Sequence, residues 1–399
     1  MMQHFTLYPW CDLDSLRKNP GEALKDLADC GFNASCFVLP AEYDACRAAG
    51  LEIYSFLGSD YSSALSALSK DKNTTSEQIR DTMRGFLANL PKDVKAVYIE
   101  DEPGASEFSR LAEMAQCVRE YAPWAEPYFN LFPNYAICGA EDISQLETET
   151  YEEYLDRFAA TVKPDCISLD NYISFISMDM QDKEWEAKFY LNYIQAQECC
   201  QKHGIPFQHV ICSNQLRAYQ TPPSFANLAF QAYTSLAAGA KAIGWFTYTG
   251  RGGYLYAPID DDTDAPQKTD TWYLLREINR RILPTGEMLF PMQWQGMYFT
   301  HADRLERANP VSDCPALQGF TSDEPCMIGH FTDGGDDVLV IVNTSLERST
   351  RIDPDMGGEY LVYNHNSDKF EQPILTNKHG ATSPMWLNAG CGIAIRKAK

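Results

Sequence analysis

The run Val94-Lys-Ala-Val-Tyr-Ile-Glu-Asp-Glu-Pro-Gly104 decides how this chain is read. Val94 to Ile99 has the apolar, β-branched and aromatic character of a buried strand. It runs into Glu100, Asp101 and Glu102 and stops at Pro103-Gly104. Apolar strands seldom end in adjacent carboxylates, because burying an unpaired one is costly. In a regular strand Glu100 and Glu102 share a face and Asp101 takes the other, unless the strand end bulges.

Working outward, strands alternate with helices through residues 3–289. Strands are expected at His4–Trp10, Phe32–Leu39, Leu51–Leu57, Val94–Glu102, Pro127–Phe132, Asp165–Leu169, Phe207–Ser213 and Ala242–Tyr248. Helices are expected at Leu16–Cys30, Tyr43–Ala49, Ser76–Leu90, Glu107–Tyr121, Tyr151–Val162, Trp185–His203, Ser224–Ala238 and Thr271–Leu283. Within Ser76–Leu90, Ile79, Met83, Phe86 and Leu87 fall on one helical face. Eight strand–helix units in roughly 285 residues match the size of a parallel (β/α)8 barrel. An open doubly wound sheet is the runner-up. It would need a glycine-rich phosphate loop after the first strand, and Tyr8-Pro-Trp-Cys-Asp12 is unlike one.

Beyond about residue 290 the texture changes. Met297–Thr300, Asp337–Asn343, Gly358–Tyr363 and Cys391–Ile395 are strand-like, with turn residues between them. The expected fold class is therefore α/β: a (β/α)8 TIM barrel over residues 1–289, with a small C-terminal antiparallel β-sandwich over residues 290–399.

Composition narrows the function. The 399 residues are 45% apolar and 22% charged, an ordinary globular balance. A formal charge of −22 disfavours nucleic acid or an anionic membrane as partner. The N-terminal residues show no signal-peptide pattern, and no apolar run is long enough to span a bilayer. The 13 cysteines are odd in number and scattered, which suits reduced thiols and a cytoplasmic setting. Cys199-Cys200 lacks metal-site spacing, and the histidines form no ligand cluster, so neither a metal nor another cofactor is expected.

In such a barrel the chemistry lies at the C-terminal ends of the strands. Those ends carry Trp10, Asp60, Glu100-Asp101-Glu102, Asn130, Asp170-Asn171-Tyr172, Asn214-Gln215 and Trp245 to Tyr248. Rings, amides and carboxylates are what a sugar demands: rings cover its C–H face, and amides and acids bond its hydroxyls. Cleaving a glycosidic bond then needs two carboxyl groups. Glu102 is the expected acid, with a pKa raised by neighbouring charge, and Asp101 its orienting neighbour. Asp170 is the first choice for the second carboxyl, then Asp60, then the acidic loop Asp260–Asp264. Trp10, Asp60, Asn130, Tyr172, Asn214, Gln215, Trp245 and Tyr248 are the expected substrate contacts. Each has a plainer reading. Asp101-Glu102-Pro103 suits an ion-paired strand terminus or an acid near a helix start; Asp170-Asn171-Tyr172 suits a turn; Trp10 and Trp245 suit the core.

At these residues the chain resembles clan A glycoside hydrolases, and more closely a group of poorly characterised bacterial glycosidases. The shared features are Asp101-Glu102-Pro103, Asn130-Leu-Phe-Pro-Asn134, Asp170-Asn-Tyr172 and the block from Tyr233 to Tyr248. The resemblance implies an acid/base Glu after strand four and a nucleophilic Glu after strand seven. The first matches Glu102. The clan has Asn before that Glu, where this chain has Asp101, and its strand-seven Glu meets Ser213-Asn214-Gln215 here. The nucleophile does not carry over. Asp170 takes the second role, or the acid works with substrate assistance or another strand, or the barrel binds sugar without cleaving it.

The leading expectation is a glycoside hydrolase acting on a small oligosaccharide or glycoside, processed from one end. The alternatives are a non-catalytic carbohydrate-binding barrel and a lyase or isomerase of sugar acids. The last would need a cationic pocket, for which Arg217 and Arg251 are the only rim cations. Trp386 is the one aromatic in the C-terminal region suited to touching carbohydrate.

Overall fold

A computed structural model describes residues 3–10, 19–56, 64–139, 144–176, 180–218, 220–250, 253–260, 266–373 and 385–398. Eight parallel strands form the first part: β1 Thr6–Pro9, β2 Ala34–Val38, β3 Glu52–Phe56, β4 Val94–Asp101, β5 Glu126–Asn130, β6 Ile167–Asp170, β7 Phe207–Cys212 and β8 Ala242–Phe246. They pair as two four-stranded sheets, β2-β3-β4-β5 and β1-β8-β7-β6. Two seams join these into a ring. The Asn33 N–H donates to the Leu7 carbonyl (3.2 Å) between β1 and β2. Leu131 bridges Leu169 between β5 and β6. The result is the (β/α)8 barrel, with helices packed outside.

Alternation along each strand separates two cores. Leu7, Ile53, Val97, Ile99, Phe129, Ile167 and Ile243 face outward beneath the helices. Tyr8, Trp10, Tyr54, Tyr98, Tyr128 and Val210 fill the interior. The interior is packed with rings, as expected of a barrel that is a core and not a pore.

Helix boundaries follow capping chemistry. Thr75 and Gln78 form a reciprocal capping box at the start of Ser76–Leu87. The Asp182 carboxylate accepts from the Glu184 and Trp185 N–H groups, so the helix expected from Trp185 begins at Lys183. The last barrel helix, expected to stop at Leu283 before Pro284, runs on from Asp270 to Leu289. Pro284 removes one backbone donor, but packing holds the helix on course. Gly286 lies so close to Phe5 that an added Cβ would come within 2.3 Å of its ring, and Tyr363 donates to the Pro284 carbonyl (3.0 Å).

After Leu289 the described residues form strands and 3-10 turns. A seven-stranded sheet, antiparallel but for one short pair, is built on Gln293–Phe299, Cys326–Asp333, Asp336–Asn343 and Gly392–Lys397. A three-stranded sheet faces it, with Ile328, Ile341 and Ile395 meeting Ile352, Met385 and Leu387 between the layers. The larger sheet packs on helix Phe225–Ala237. A Cβ at Gly329 would sit 2.2 Å from the Ala237 carbonyl oxygen, so the contact tolerates only glycine.

Candidate active site

The end of β4 departs from regular pairing. Tyr98 is opposite Tyr128, but Glu100 is opposite Phe129 and Asp101 opposite Asn130, with a register shift between. This bulge reverses the facing of Glu100 and Asp101. Glu100 turns outward with Phe129, and Asp101 turns inward with Asn130. Glu102 then leaves the strand at φ +48°, a left-handed conformation uncommon for a residue with a side chain, while its N–H still reaches the Asn130 carbonyl (2.9 Å). Phe37, at the end of β2, is also left-handed (φ +58°) beside a second register shift.

Outward, Glu100 is buried and well supplied with donors. Ser66 Oγ (3.1 Å), Ser69 Oγ (2.7 Å) and the Asp101 N–H (3.1 Å) bond its carboxylate, and Lys70 Nζ lies 3.7 Å away. Ser69 Oγ is also 2.8 Å from Glu107. Burial, with the Glu100 charge adding to it, holds the Glu107 carboxyl above its ordinary range. This is the ion-paired strand terminus that the plainer reading described, and it belongs to Glu100.

Inward, Asp101, Glu102 and Asp170 converge. Asn130 Nδ2 donates to Asp101 Oδ1 (3.1 Å) and to Asp170 Oδ1 (3.3 Å), so one amide nitrogen spans two acids from different strands. Burial pushes the Asp101 carboxyl up to about 6, with help from the Glu100 charge and against the Asn130 bond and Lys70. Burial and the Asp101 charge push Glu102 up to about 7. Asp170 is driven well above the usual carboxylate range by burial, then by Glu102 and Asp101. Among the described residues no cation pairs with these three acids. All three shifts are upward, so burial and mutual repulsion favour the protonated forms.

Tyr172 belongs to the same place: its phenol is held up by burial and by the Asp170 and Asp101 charges, and its ring stacks on Phe246 at 5.2 Å. Trp10 is buried just beneath, edge-on to Tyr98 and Tyr128. Tyr135, which is not among the expected contacts, lies against Tyr172. Its hydroxyl accepts from the Tyr172 N–H (3.3 Å), and Asp170 acts on it electrostatically. The Asn130–Asn134 segment that precedes it was the available signal.

Other expected contacts stand elsewhere. Trp245 is fully buried on the outer face of β8, where its indole donates to Asn279 on the last barrel helix (3.0 Å). The reason is register: Gly244 fills the inward position, where a Cβ would meet the Tyr8 ring at 2.7 Å, so its neighbour must face out. Tyr248 also packs outside, accepting from Trp272 Nε1 (2.8 Å) and lying edge-on to Phe32. Gln215 clamps its own loop, bonding the Gln220 carbonyl and pairing with Leu255. Asn130 is committed to the two acids and to Ser168 (3.0 Å) and not left free for a sugar hydroxyl. Asn214 is fully buried, and its amide finds no partner among the described residues. Arg217 is exposed. Asp60, Arg251 and residues 261–264 lie outside the described residues; Asp260 is exposed and pairs with Gln267.

Two cavities elsewhere hold no comparable acid set. One of about 370 Å³ lies at the opposite end of the barrel, where His4 and Lys95 engage Glu52. One of about 310 Å³ lies against the C-terminal sheet, lined by Arg281 and Tyr363. The described residues contain no group of acids, histidines and cysteines suited to a metal ion. No described helix is long and apolar enough to cross a membrane.

No protein-family model matches the chain, and no curated protein matches it in sequence. Solved structures do match its fold. A β-galactosidase from Bacillus circulans sp. alkalophilus aligns with a TM-score of 0.66 at 7% identity, covering 99% of both chains. A catalytic mutant of a GH42 β-galactosidase from G. stearothermophilus aligns with a TM-score of 0.63 at 7% identity, covering 99% of this chain and 98% of that one. A β-galactosidase from Rahnella sp. R3 aligns with a TM-score of 0.52 at 10% identity, covering 74% of this chain and 58% of that one. The chain shares the fold of (β/α)8 glycoside hydrolases.

Proposed function

We propose that the protein is a glycoside hydrolase whose reaction runs at the inward acid set. The observation that carries this reading is the bulge at the end of β4. It turns Asp101 into the barrel mouth, where the Asn130 amide joins it to Asp170 and where Glu102 acts electrostatically on Asp170 and feels the Asp101 charge. Glu102, half-exposed and raised to about 7, is the general acid. It protonates the glycosidic oxygen as the bond from that oxygen to the anomeric carbon breaks. The pair held by Asn130 keeps one proton and one negative charge between its two carboxyls, and Asp170 reacts in the form in which Asp101 holds that proton. Asp170 is the second carboxyl, attacking the anomeric carbon or taking a proton from the water that does. The charge on the pair keeps the Glu102 proton in place. Water supplies the hydroxyl to the sugar and the proton that restores the acid.

The substrate in this reading is a short neutral oligosaccharide or glycoside, bound beside Tyr172 without a cofactor. A lyase of sugar acids would set its substrate's charge against three uncompensated acids, which disfavours it. Kinship with the bacterial glycosidase group rests on the Asp101-Glu102-Pro103, strand-five and strand-eight motifs. A cytoplasmic setting is in keeping with the free thiols, of which all the described ones but Cys138 are buried. We further propose that residues 290–399 form a structural unit distinct from the 1–289 barrel.

The test is turnover of a nitrophenyl-glycoside panel by wild type beside Glu102→Gln. Cleavage of a panel member by wild type, lost in the variant, supports the reading. Equal turnover removes Glu102 from the mechanism, and calorimetric binding of a sugar without turnover would leave a carbohydrate-binding barrel.

A further inference from the structure

We propose that Ser168, backed by Tyr128 and Tyr8, is a positioning residue. It fixes the Asn130 amide so that one nitrogen holds both Asp101 and Asp170. The inference deepens the hydrolase reading and rests on it for what the pair does in turnover.

The argument is an inventory of protons. An amide oxygen can only accept, so the single hydroxyl proton of Ser168 is committed to Asn130 Oδ1 at 3.0 Å. Ser168 Oγ can therefore only accept from Tyr128 Oη at 2.9 Å. That uses the one proton of Tyr128, whose oxygen then accepts from Tyr8 Oη at 2.6 Å. Every proton direction from Tyr8 to Asn130 is thereby determined. The two amide N–H groups remain, and they meet Asp101 at 3.1 Å and Asp170 at 3.3 Å. Turned over, the amide would set its oxygen against both acids.

The chain of hydroxyls is interior throughout: Tyr8, Tyr128 and Ser168 are each 2% exposed or less. It crosses the β5–β6 seam, where the backbone contributes only the Leu131–Leu169 bridge and its bonds. Side chains thus hold the strand that carries Asn130 against the strand that carries Asp170. The titratable groups that act on the two acids are Glu102 beside them, Glu100 and Lys70 behind β4, and the uncharged Tyr98, Tyr135, Tyr151, Tyr154, Tyr172 and Cys212. The Ser168 hydroxyl bonds Asn130 and Tyr128 and none of these groups, so removing it changes the amide and not the surrounding charge.

The experiment is a carboxyl titration followed by 13C NMR on protein labelled at aspartate. In Ser168→Ala the apparent pKa of the Asp101–Asp170 pair is expected to rise by about one unit, because the amide no longer favours the charged forms. Ser168→Thr keeps the hydroxyl and is expected to titrate like wild type. Tyr128→Phe is expected to give a smaller rise. A Ser168→Ala titration that superimposes on wild type overturns the proposal, as does a Ser168→Thr shift as large as that of alanine. Should Ser168→Ala not fold, Tyr128→Phe decides, and no shift there overturns the claim. On any glycoside that wild type cleaves, the acid limb of the Ser168→Ala pH profile should move with the titration while KM stays constant. Failure of wild type to cleave any glycoside defeats the hydrolase reading, and the titration still decides the role of Ser168.

Discussion

The two faces of the β4 terminus carry the same kind of side chain in different company. Outside, Glu100 meets two serine hydroxyls, a backbone N–H and a lysine. Inside, Asp101 and Asp170 share one amide, and Glu102 has no cation among the described residues. Glu100 and Asp170 are both 3% exposed, so burial alone does not separate a structural acid from a reactive one. The supply of donors does. A buried acid met by several donors can serve the fold; acids without a cation are raised by burial and by one another and can pass a proton on.

The contrast breaks most sharply in turnover. Glu102→Gln should lower kcat by about 10²–10⁴-fold on a glycoside the wild type cleaves, whereas Glu100→Gln should change it by less than about tenfold. Equal losses in steady-state kinetics would erase the distinction between the faces.

A second difference lies in stability against pH. Asp101 and Glu102 bind their protons more tightly folded than unfolded, with folded values of about 6 and about 7. Their stabilising contribution is present at low pH and is lost as pH rises from the unfolded range through those values. Replacing both by Asn and Gln should remove about 1–3 kcal/mol of that decline, a figure reduced for the partial exposure of Glu102. Urea unfolding at acidic and mildly alkaline pH measures it. A double variant whose stability falls as steeply as that of wild type would show that these acids are not raised.

The outer face should respond in the opposite sense. Glu100→Gln leaves Ser66 and Ser69 facing a weaker acceptor, and should cost about 1–2 kcal/mol in denaturant unfolding at neutral pH. The smallest effect belongs to Lys70→Met, where a largely exposed lysine should contribute less than about 1 kcal/mol. A larger loss there would mean that the lysine, and not the serines, compensates Glu100.

Much of the architecture is legible in residue order. The runs around Val97, Ile167 and Ile243 read as buried strands because helices cover their outer faces, and Gly31, Gly50 and Gly204 mark where helices stop. Capping acids are less easily read: Asp182 starts its helix two residues before the apolar pattern does. Pro284 misleads, because a lost hydrogen bond is outweighed by packing against Phe5 that involves a residue at the far end of the barrel segment. The site divides in the same way. Asp101, Glu102, Asp170, Asn130 and Tyr172 are recognisable as strand-end residues and do meet. Trp245 and Tyr248 also end a strand, yet face the helices, since Gly244 takes the inward place.

Residue order alone therefore determined that acids would crown the fourth strand of a parallel barrel, because apolar runs and turn residues act within a few positions of the chain. Which of those acids would look into the barrel was decided only in three dimensions. Facing depends on the register against a neighbouring strand, and Asn130, from β5, is what Asp101 pairs with across the bulge. The amide that then joins Asp101 to Asp170 links residues with no local relation, so no reading of any one segment contains it.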